Sequence, residues 1–145
     1  MYWRGGLSRK TYGSAKSGHR YQISETEIAK GAEYIITQMF FDNVKYFDFV
    51  RRCRAEGITI PIIPGLKPIA TKKQLNLIPH RFSLELPDCL INEIDQATDN
   101  NAVKKIGIEW CIEQSKELIA AGIPILHYYS MGKSENIKQI AKAVF

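Results

Sequence analysis

The chain has 145 residues, 45% of them hydrophobic and 24% charged, a globular composition long enough to bury one sizeable core and too short for two. No apolar run approaches the ~20 residues of a membrane helix, and Cys53, Cys89 and Cys111 show no Cys-x-x-Cys or Cys/His ligand spacing, so neither a membrane span nor a metal site is expected. The net charge of +5 would invite a nucleic-acid partner, but residues 1–27 carry five bases against two acids and residues 28–145 fifteen against thirteen, so the basicity is concentrated in the first segment.

From Ile28 onward, short β-branched or aromatic runs alternate with amphipathic stretches, the pattern of βα units feeding a parallel sheet. The first strand is expected at Tyr34-Ile35-Ile36-Thr37, apolar throughout as in a strand covered on both faces. Asp42 or Asn43 can cap the next helix, in which Val44, Phe47, Val50 and Cys53 recur at helical spacing and Gly57 supplies the stop. A second strand follows at Ile60-Pro61-Ile62-Ile63, ended by Pro64-Gly65, and then a short helix from Thr71 to Leu77.

A third strand is expected at Phe82-Ser83-Leu84-Glu85-Leu86, with a helix from Asp88 to Ala97 after it. A long helix should run from about Asn101 to Ala121, with Val103, Ile106, Trp110, Leu118 and Ala121 near one face and Gly122 as terminator. Ile125-Leu126-His127-Tyr128-Tyr129 reads as the fourth strand, and Ser134 caps a last helix striped by Ile137, Ile140, Ala141 and Val144. Four such units are about half of a (βα)8 barrel, whose usual size is ~250 residues. A small doubly wound sheet has the same periodicity, although neither Gly-rich phosphate-binding motif is present.

The run from Gly31 through Ile35-Ile36-Thr37-Gln38-Met39-Phe40-Phe41-Asp42 resembles the GA-x-x-I-T-Q-x-F-F-D segment of the methylenetetrahydrofolate reductases. Gly57-Ile58 with Pro61-Ile62-Ile63-Pro64-Gly65 and Pro68, and Gly122 with His127-Tyr128-Tyr129-Ser130, resemble further segments of that family in the same order. The resemblance covers residues 28–145 and implies an α/β fold, a partial (βα)8 TIM barrel made of about its last four βα units. It implies a flavoenzyme of one-carbon metabolism and methionine synthesis: FAD takes hydride from NADH or NADPH and reduces 5,10-methylenetetrahydrofolate to 5-methyltetrahydrofolate.

By the same resemblance Gln38 is the glutamine that touches both folate and nicotinamide; a carboxamide offers donors and an acceptor side by side, which suits a pterin edge or a nicotinamide amide. Gln74 aligns with a second glutamine on the folate side. Lys133 stands where relatives carry a folate-contacting arginine, keeping the charge without the planar fork. Tyr129 and His127 are expected to close the site as aromatic wall and hydrogen-bond donor. An aromatic of the folate wall is replaced by Leu77 or Ile78. The acidic residues that assist proton transfer and most FAD contacts should lie upstream of residue 28, so no catalytic residue is assigned and the FAD site is expected to be lost.

Upstream of its ITQ strand the family carries a flavin-contacting segment resembling Y-P-E-x-H-x-E-A, which residues 1–27 lack. A permitted coding string for those residues, read one base later, spells CIGVAGYPEKHMEAPSLDTDIKYLKQ and so contains the motif in place. Residues 1–27 are therefore expected to be an out-of-frame or disordered segment ahead of the C-terminal half barrel at 28–145. Taken at face value, the segment mimics a transit peptide or a basic nucleic-acid arm.

Two functions stand side by side: a truncated reductase able to work when completed, and a non-catalytic fragment of a frameshifted gene. The expected partners are a folate substrate and either further copies of the chain or a complementing N-terminal half, with no nucleic acid and no membrane, in a cytoplasmic setting.

Overall fold

The computed structural model describes residues 10–12, 21–23, 31–132 and 134–145. Two short strands, β1 (Lys10–Tyr12) and β2 (Tyr21–Ile23), pair antiparallel with each other. The rest of residues 1–27, and the seam expected at Glu27, lie outside the described residues.

A three-stranded parallel sheet organises the chain, with β4 central: β3 (Ile35–Met39), β4 (Ile62–Leu66) and β5 (His127–Tyr128). Among the described residues five helices accompany it: α1 (Asn43–Ala55) between β3 and β4, α2 (Gln74–Phe82), α3 (Asp88–Gln96) and α4 (Asn100–Ala120) between β4 and β5, and α5 (Ser134–Val144) at the end. The architecture is α/β with a parallel sheet, as the alternating pattern requires.

Local chemistry sets the helix ends. The Asp42 carboxylate accepts from the Val44 N–H and opens α1, and Asp99 does the same for α4 through the Ala102 N–H at 2.8 Å. Gly57 and Gly122 follow the helix ends with φ of 79° and 85°, a region that costs glycine little.

One face of the sheet is covered by the chain's own helices. Ile35, Ile62 and Leu66 pack with Tyr46, Phe49 and Cys53 of α1, Ile108, Cys111 and Leu118 of α4, and Ile140 of α5. A second cluster lies beyond the strand ends, where Met39, Phe41 and Ile69 meet Ile78, Leu90, Ile94 and Val103. There α4 approaches so closely that a Cβ on Gly107 would lie 1.9 Å from the Ile69 carbonyl oxygen. Glycine inside a helix costs roughly 1 kcal/mol against alanine, and here it allows the backbones to meet.

Several expectations are corrected. Phe82-Ser83-Leu84-Glu85-Leu86 is not a strand: α2 runs on through Pro79 to Phe82, and Ser83 turns the chain at φ 51°. Leu84 and Leu86 are buried in the second cluster, so their alternation is satisfied by packing rather than by a ladder. The parallel sheet therefore has three strands where four were expected. The last is shorter than 125–129, leaving Ile125 exposed before it.

The buried face of α1 is rotated from the expected one. Val44 is 69% exposed, while Tyr46 and Phe49 are buried, because the Tyr46 ring stacks on Phe40 at 5.4 Å and its hydroxyl donates to the Ile62 carbonyl at 2.7 Å. On α4, Ala121 lies past the helix end and is exposed; Gly107, Ile108, Cys111, Gln114 and Ser115 are buried alongside Val103 and Leu118.

Candidate functional site

Three of the predicted residues, Gln38, His127 and Tyr129, gather at one end of the sheet. Register pairs Ile36 with Ile63 and Gly65 with His127, and side chains alternate along each strand. Ile36, Ile63, His127 and Tyr129 thus share the face away from the covering helices, and each is only half-buried. Gln38, His127 and Tyr129 stand at the C-terminal ends of parallel strands, where α/β folds place their ligands.

Gln38 sits on an irregularity. Between Ile36↔Ile63 and Met39↔Gly65 the register shifts by one, so Thr37 and Gln38 together face Pro64 in a β-bulge, a device that re-aims side chains. The Gln38 Oε1 accepts the Met39 N–H at 3.1 Å. Its half-buried amide nitrogen keeps two donors for an acceptor on a ligand.

Tyr129 is anchored at both ends. Its N–H donates to the Leu66 carbonyl at 2.8 Å and its hydroxyl to the Thr37 carbonyl at 2.9 Å. The His127 ring meets it edge-on, with centroids 4.7 Å apart at 78°. Tyr128 points the other way, toward the covering helices, where its hydroxyl shares a 2.8 Å hydrogen bond with the Ser115 hydroxyl and burial raises its pKa.

Gln74 opens α2, and its Oε1 accepts the Ala70 N–H at 2.6 Å and the Thr71 N–H at 3.3 Å. Its carbonyl oxygen therefore ties the loop after β4 to the helix, which leaves the NH2 group for other contacts. Leu77 is exposed, whereas Ile78 is buried in the second cluster. Lys133 lies outside the described residues. A hydrogen bond and a ring contact thus join Tyr129 and His127 to Thr37, the chain neighbour of Gln38, while Gln74 belongs to the neighbouring loop.

Three features escaped the sequence reading. Thr37 and Gly65 support the bulge, and Gly65 is needed because a Cβ there would lie 2.4 Å from the Thr37 carbonyl oxygen and 2.6 Å from the Tyr129 ring. The Pro64-Gly65 pair was the available signal. The third is a staple behind the site: Asn43 donates to the Gln114 carbonyl at 3.1 Å and to Glu117, Gln114 donates to the Phe40 carbonyl, and Trp110 donates to the Phe41 carbonyl at 3.1 Å. It pins the loop after β3 to α4. A cavity of about 590 Å³ beside this staple is lined by Phe41, Asp42, Pro87, Trp110, Glu113 and Glu117 among others, and Gln38, Gln74, His127 and Tyr129 do not border it.

Among the described residues no group of three His, Cys, Asp or Glu could hold a metal ion, and no helix is long and apolar enough to cross a membrane.

The chain is similar to known proteins. The family described as methylenetetrahydrofolate reductase matches residues 15–144. A probable methylenetetrahydrofolate reductase (NADPH) of Caenorhabditis elegans is 38% identical over 116 residues, 79% of this chain and 18% of that protein. The maize methylenetetrahydrofolate reductase (NADH) 1 is 33% identical over 76% of the chain and 19% of its own length, and the Escherichia coli 5,10-methylenetetrahydrofolate reductase 29% identical over 75% and 37%. The chain thus spans well under half the length of these relatives. Among solved structures, a Clostridium thermocellum protein described as binding two copies of 5-methyl-5,6,7,8-tetrahydrofolic acid superposes with a TM-score of 0.50 at 25% identity, covering 81% of this chain and 44% of that one. The family match runs through the bulged strand end, the Pro64-Gly65 crossing and the His127–Tyr129 edge alike, and the chain belongs to the methylenetetrahydrofolate reductase family.

Proposed function

We propose that the open face of the sheet is the folate side of a methylenetetrahydrofolate reductase site, carried by the C-terminal part of a (βα)8 barrel. The observation that carries this reading is the bulge at Thr37-Gln38, whose Thr37 carbonyl accepts the Tyr129 hydroxyl, so that Gln38, Tyr129 and the His127 ring against it stand at the C-terminal ends of one parallel sheet. Support comes from the reductase relatives and from the folate-binding description of the Clostridium thermocellum protein.

Gln38 would read the pterin edge with its NH2 group, His127 and Tyr129 would wall the ring, and Gln74 and Lys133 would meet the folate further out. Gln38 would also meet the nicotinamide of NADH or NADPH. A flavin, when bound, would supply the hydride-transfer chemistry between the nicotinamide and the folate. The strand ends described here present a carboxamide, an imidazole and a phenol whose hydroxyl is already engaged. That set can read a heterocycle edge but does not hold the two phosphates of FAD, so no step is assigned through the flavin.

Reduction of 5,10-methylenetetrahydrofolate would also need proton-transfer and flavin-binding groups that the described strand ends do not present, in a cytoplasmic setting; read this way, the described residues by themselves form a non-catalytic fragment of the site. Residues 1–27 belong to this reading as an out-of-frame segment, and sequencing the locus tests that: codons incompatible with the shifted string would exclude it.

Titrating the purified chain with 5-methyltetrahydrofolate tests the site. Binding that Gln38→Ala weakens about tenfold, the cost of a lost hydrogen bond to a buried polar edge, supports it; binding indifferent to Gln38 removes it. Visible absorbance of the same preparation tests the fragment reading, because a stoichiometric flavin spectrum with reductase activity would overturn it.

A further inference from the structure

The ladder between β3 and β4 breaks at one place, and three residues repair it. The Ile35 N–H donates to the Pro61 carbonyl at 2.8 Å, and regular parallel alternation from that bond would send the Gly65 N–H to the Thr37 carbonyl. The Gly65 N–H instead donates to the Thr37 hydroxyl oxygen at 2.9 Å, and the Thr37 carbonyl accepts the Tyr129 hydroxyl at 2.9 Å. One backbone bond has been exchanged for two side-chain bonds, which gives the Gly65 N–H and the Thr37 carbonyl a partner each although Thr37 and Gly65 are buried.

The exchange works only with glycine at 65, since a Cβ would come within 2.6 Å of Tyr129 Cε2. It also links all three strands: Thr37 on β3, Gly65 on β4, and Tyr129 just past β5, its own N–H held by Leu66. Gln38 is the other residue of the bulge, and its carboxamide oxygen is tied to the Met39 N–H immediately after it. Whatever holds the bulge therefore determines where the Gln38 NH2 group stands.

We propose that Thr37, Gly65 and Tyr129 form a clamp that aims the Gln38 carboxamide, which makes Tyr129 a positioning residue whose hydroxyl acts on the protein backbone rather than on a ligand. The proposal rests on Gln38 as the folate-reading residue, and its test separates the two. In the full 145-residue chain, Tyr129→Phe removes the hydroxyl alone, Thr37→Val removes the acceptor of the Gly65 N–H, and Thr37→Ser retains it. NMR of the Gln38 side-chain amide, with hydrogen exchange at Gly65 and Met39, reads the clamp without any ligand; a 5-methyltetrahydrofolate titration reads its consequence.

The clamp requires that Tyr129→Phe and Thr37→Val move the Gln38 amide signals and speed local exchange about five- to tenfold, the scale of one lost hydrogen bond. Exchange in α4 should stay unchanged, Thr37→Ser should resemble the parent, and folate affinity should fall with the Gln38 shift. Should Tyr129→Phe fail to fold, Thr37→Val against Thr37→Ser gives the same comparison. Unchanged Gln38 signals and exchange in the folded variants overturn the clamp. Shifted Gln38 signals in a chain that takes up no folate support the clamp and overturn the folate reading.

Discussion

The two faces of the parallel sheet are built from equally apolar strands and meet different fates. On one face Ile35, Ile62 and Leu66 are buried beneath α1, α4 and α5; on the other, Ile36 and Ile63 remain half-buried beside His127 and Tyr129. Strands meant to be covered on both sides read as continuous hydrophobic runs, so Ile35-Ile36 and Ile62-Ile63 carry no mark of which face the chain will cover for itself. The difference teaches that packing is divided by face: α1, α4 and α5 seal one side, and the residues proposed for the site collect on the other, where Tyr129 packs against the second cluster.

The sharpest way to break that division is to truncate one residue on each face. Leu118→Ala, on the sealed side and wholly buried, should cost about 3 kcal/mol in urea denaturation, as buried leucines do. Ile63→Ala should cost about 1 kcal/mol, because its side chain is already partly hydrated. Equal costs would mean the open face is as well packed as the sealed one.

A smaller effect comes from pH, and it belongs to the sealed face alone. Burial pushes the Tyr46 phenol up to about 12, the Cys53 thiol to about 11 and the Cys111 thiol to about 12. Each group is neutral when protonated and holds its proton more tightly in the folded chain. As pH rises above about 9 the unfolded chain sheds these protons first, so stability is full below that pH and declines toward about 12. Denaturation midpoints at pH 8 and pH 10.5 should show the fall, and Tyr46→Phe with Cys111→Ala should flatten it. A flat profile in the parent would contradict the burial of these groups.

The smallest effect is expected at Cys89, which is exposed while Cys53 and Cys111 are buried. Cys89→Ser should change stability by less than about 0.5 kcal/mol. A thiol reagent should modify Cys89 in the folded chain and reach the other two only after unfolding; rapid reaction at Cys111 would show that the covering helices open readily.

Much of this was legible locally. The limits of α4 lie within a residue of those read from the sequence, because an Asp99 cap and a Gly122 stop act through their own neighbours. The segment proposed for the folate side was legible as a family resemblance, and Gln38, His127 and Tyr129 lie at the strand ends, where Tyr129 is hydrogen-bonded to Thr37 and stacked edge-on with His127. Gln74 was legible as a residue, but its hydrogen bonds to Ala70 and Thr71 are a property of the loop's shape.

The sequence by itself determined that α1, α3, α4 and α5 are helical, where the caps and stops of α1 and α4 fall, the α/β order and the family, since these rest on spacing and on neighbours a few residues apart. Only the tertiary structure decided which face of α1 is buried, that Leu84 and Leu86 pack into a cluster instead of extending the sheet, and that Thr37 and Gly65 exchange a ladder bond for the hydroxyl of Tyr129. Those outcomes depend on partners far along the chain: Tyr129 reaches Thr37 across 92 positions. Periodicity records what repeats every two or four residues; it carries no trace of a contact made once, between strands, where a missing Cβ leaves room for a ring.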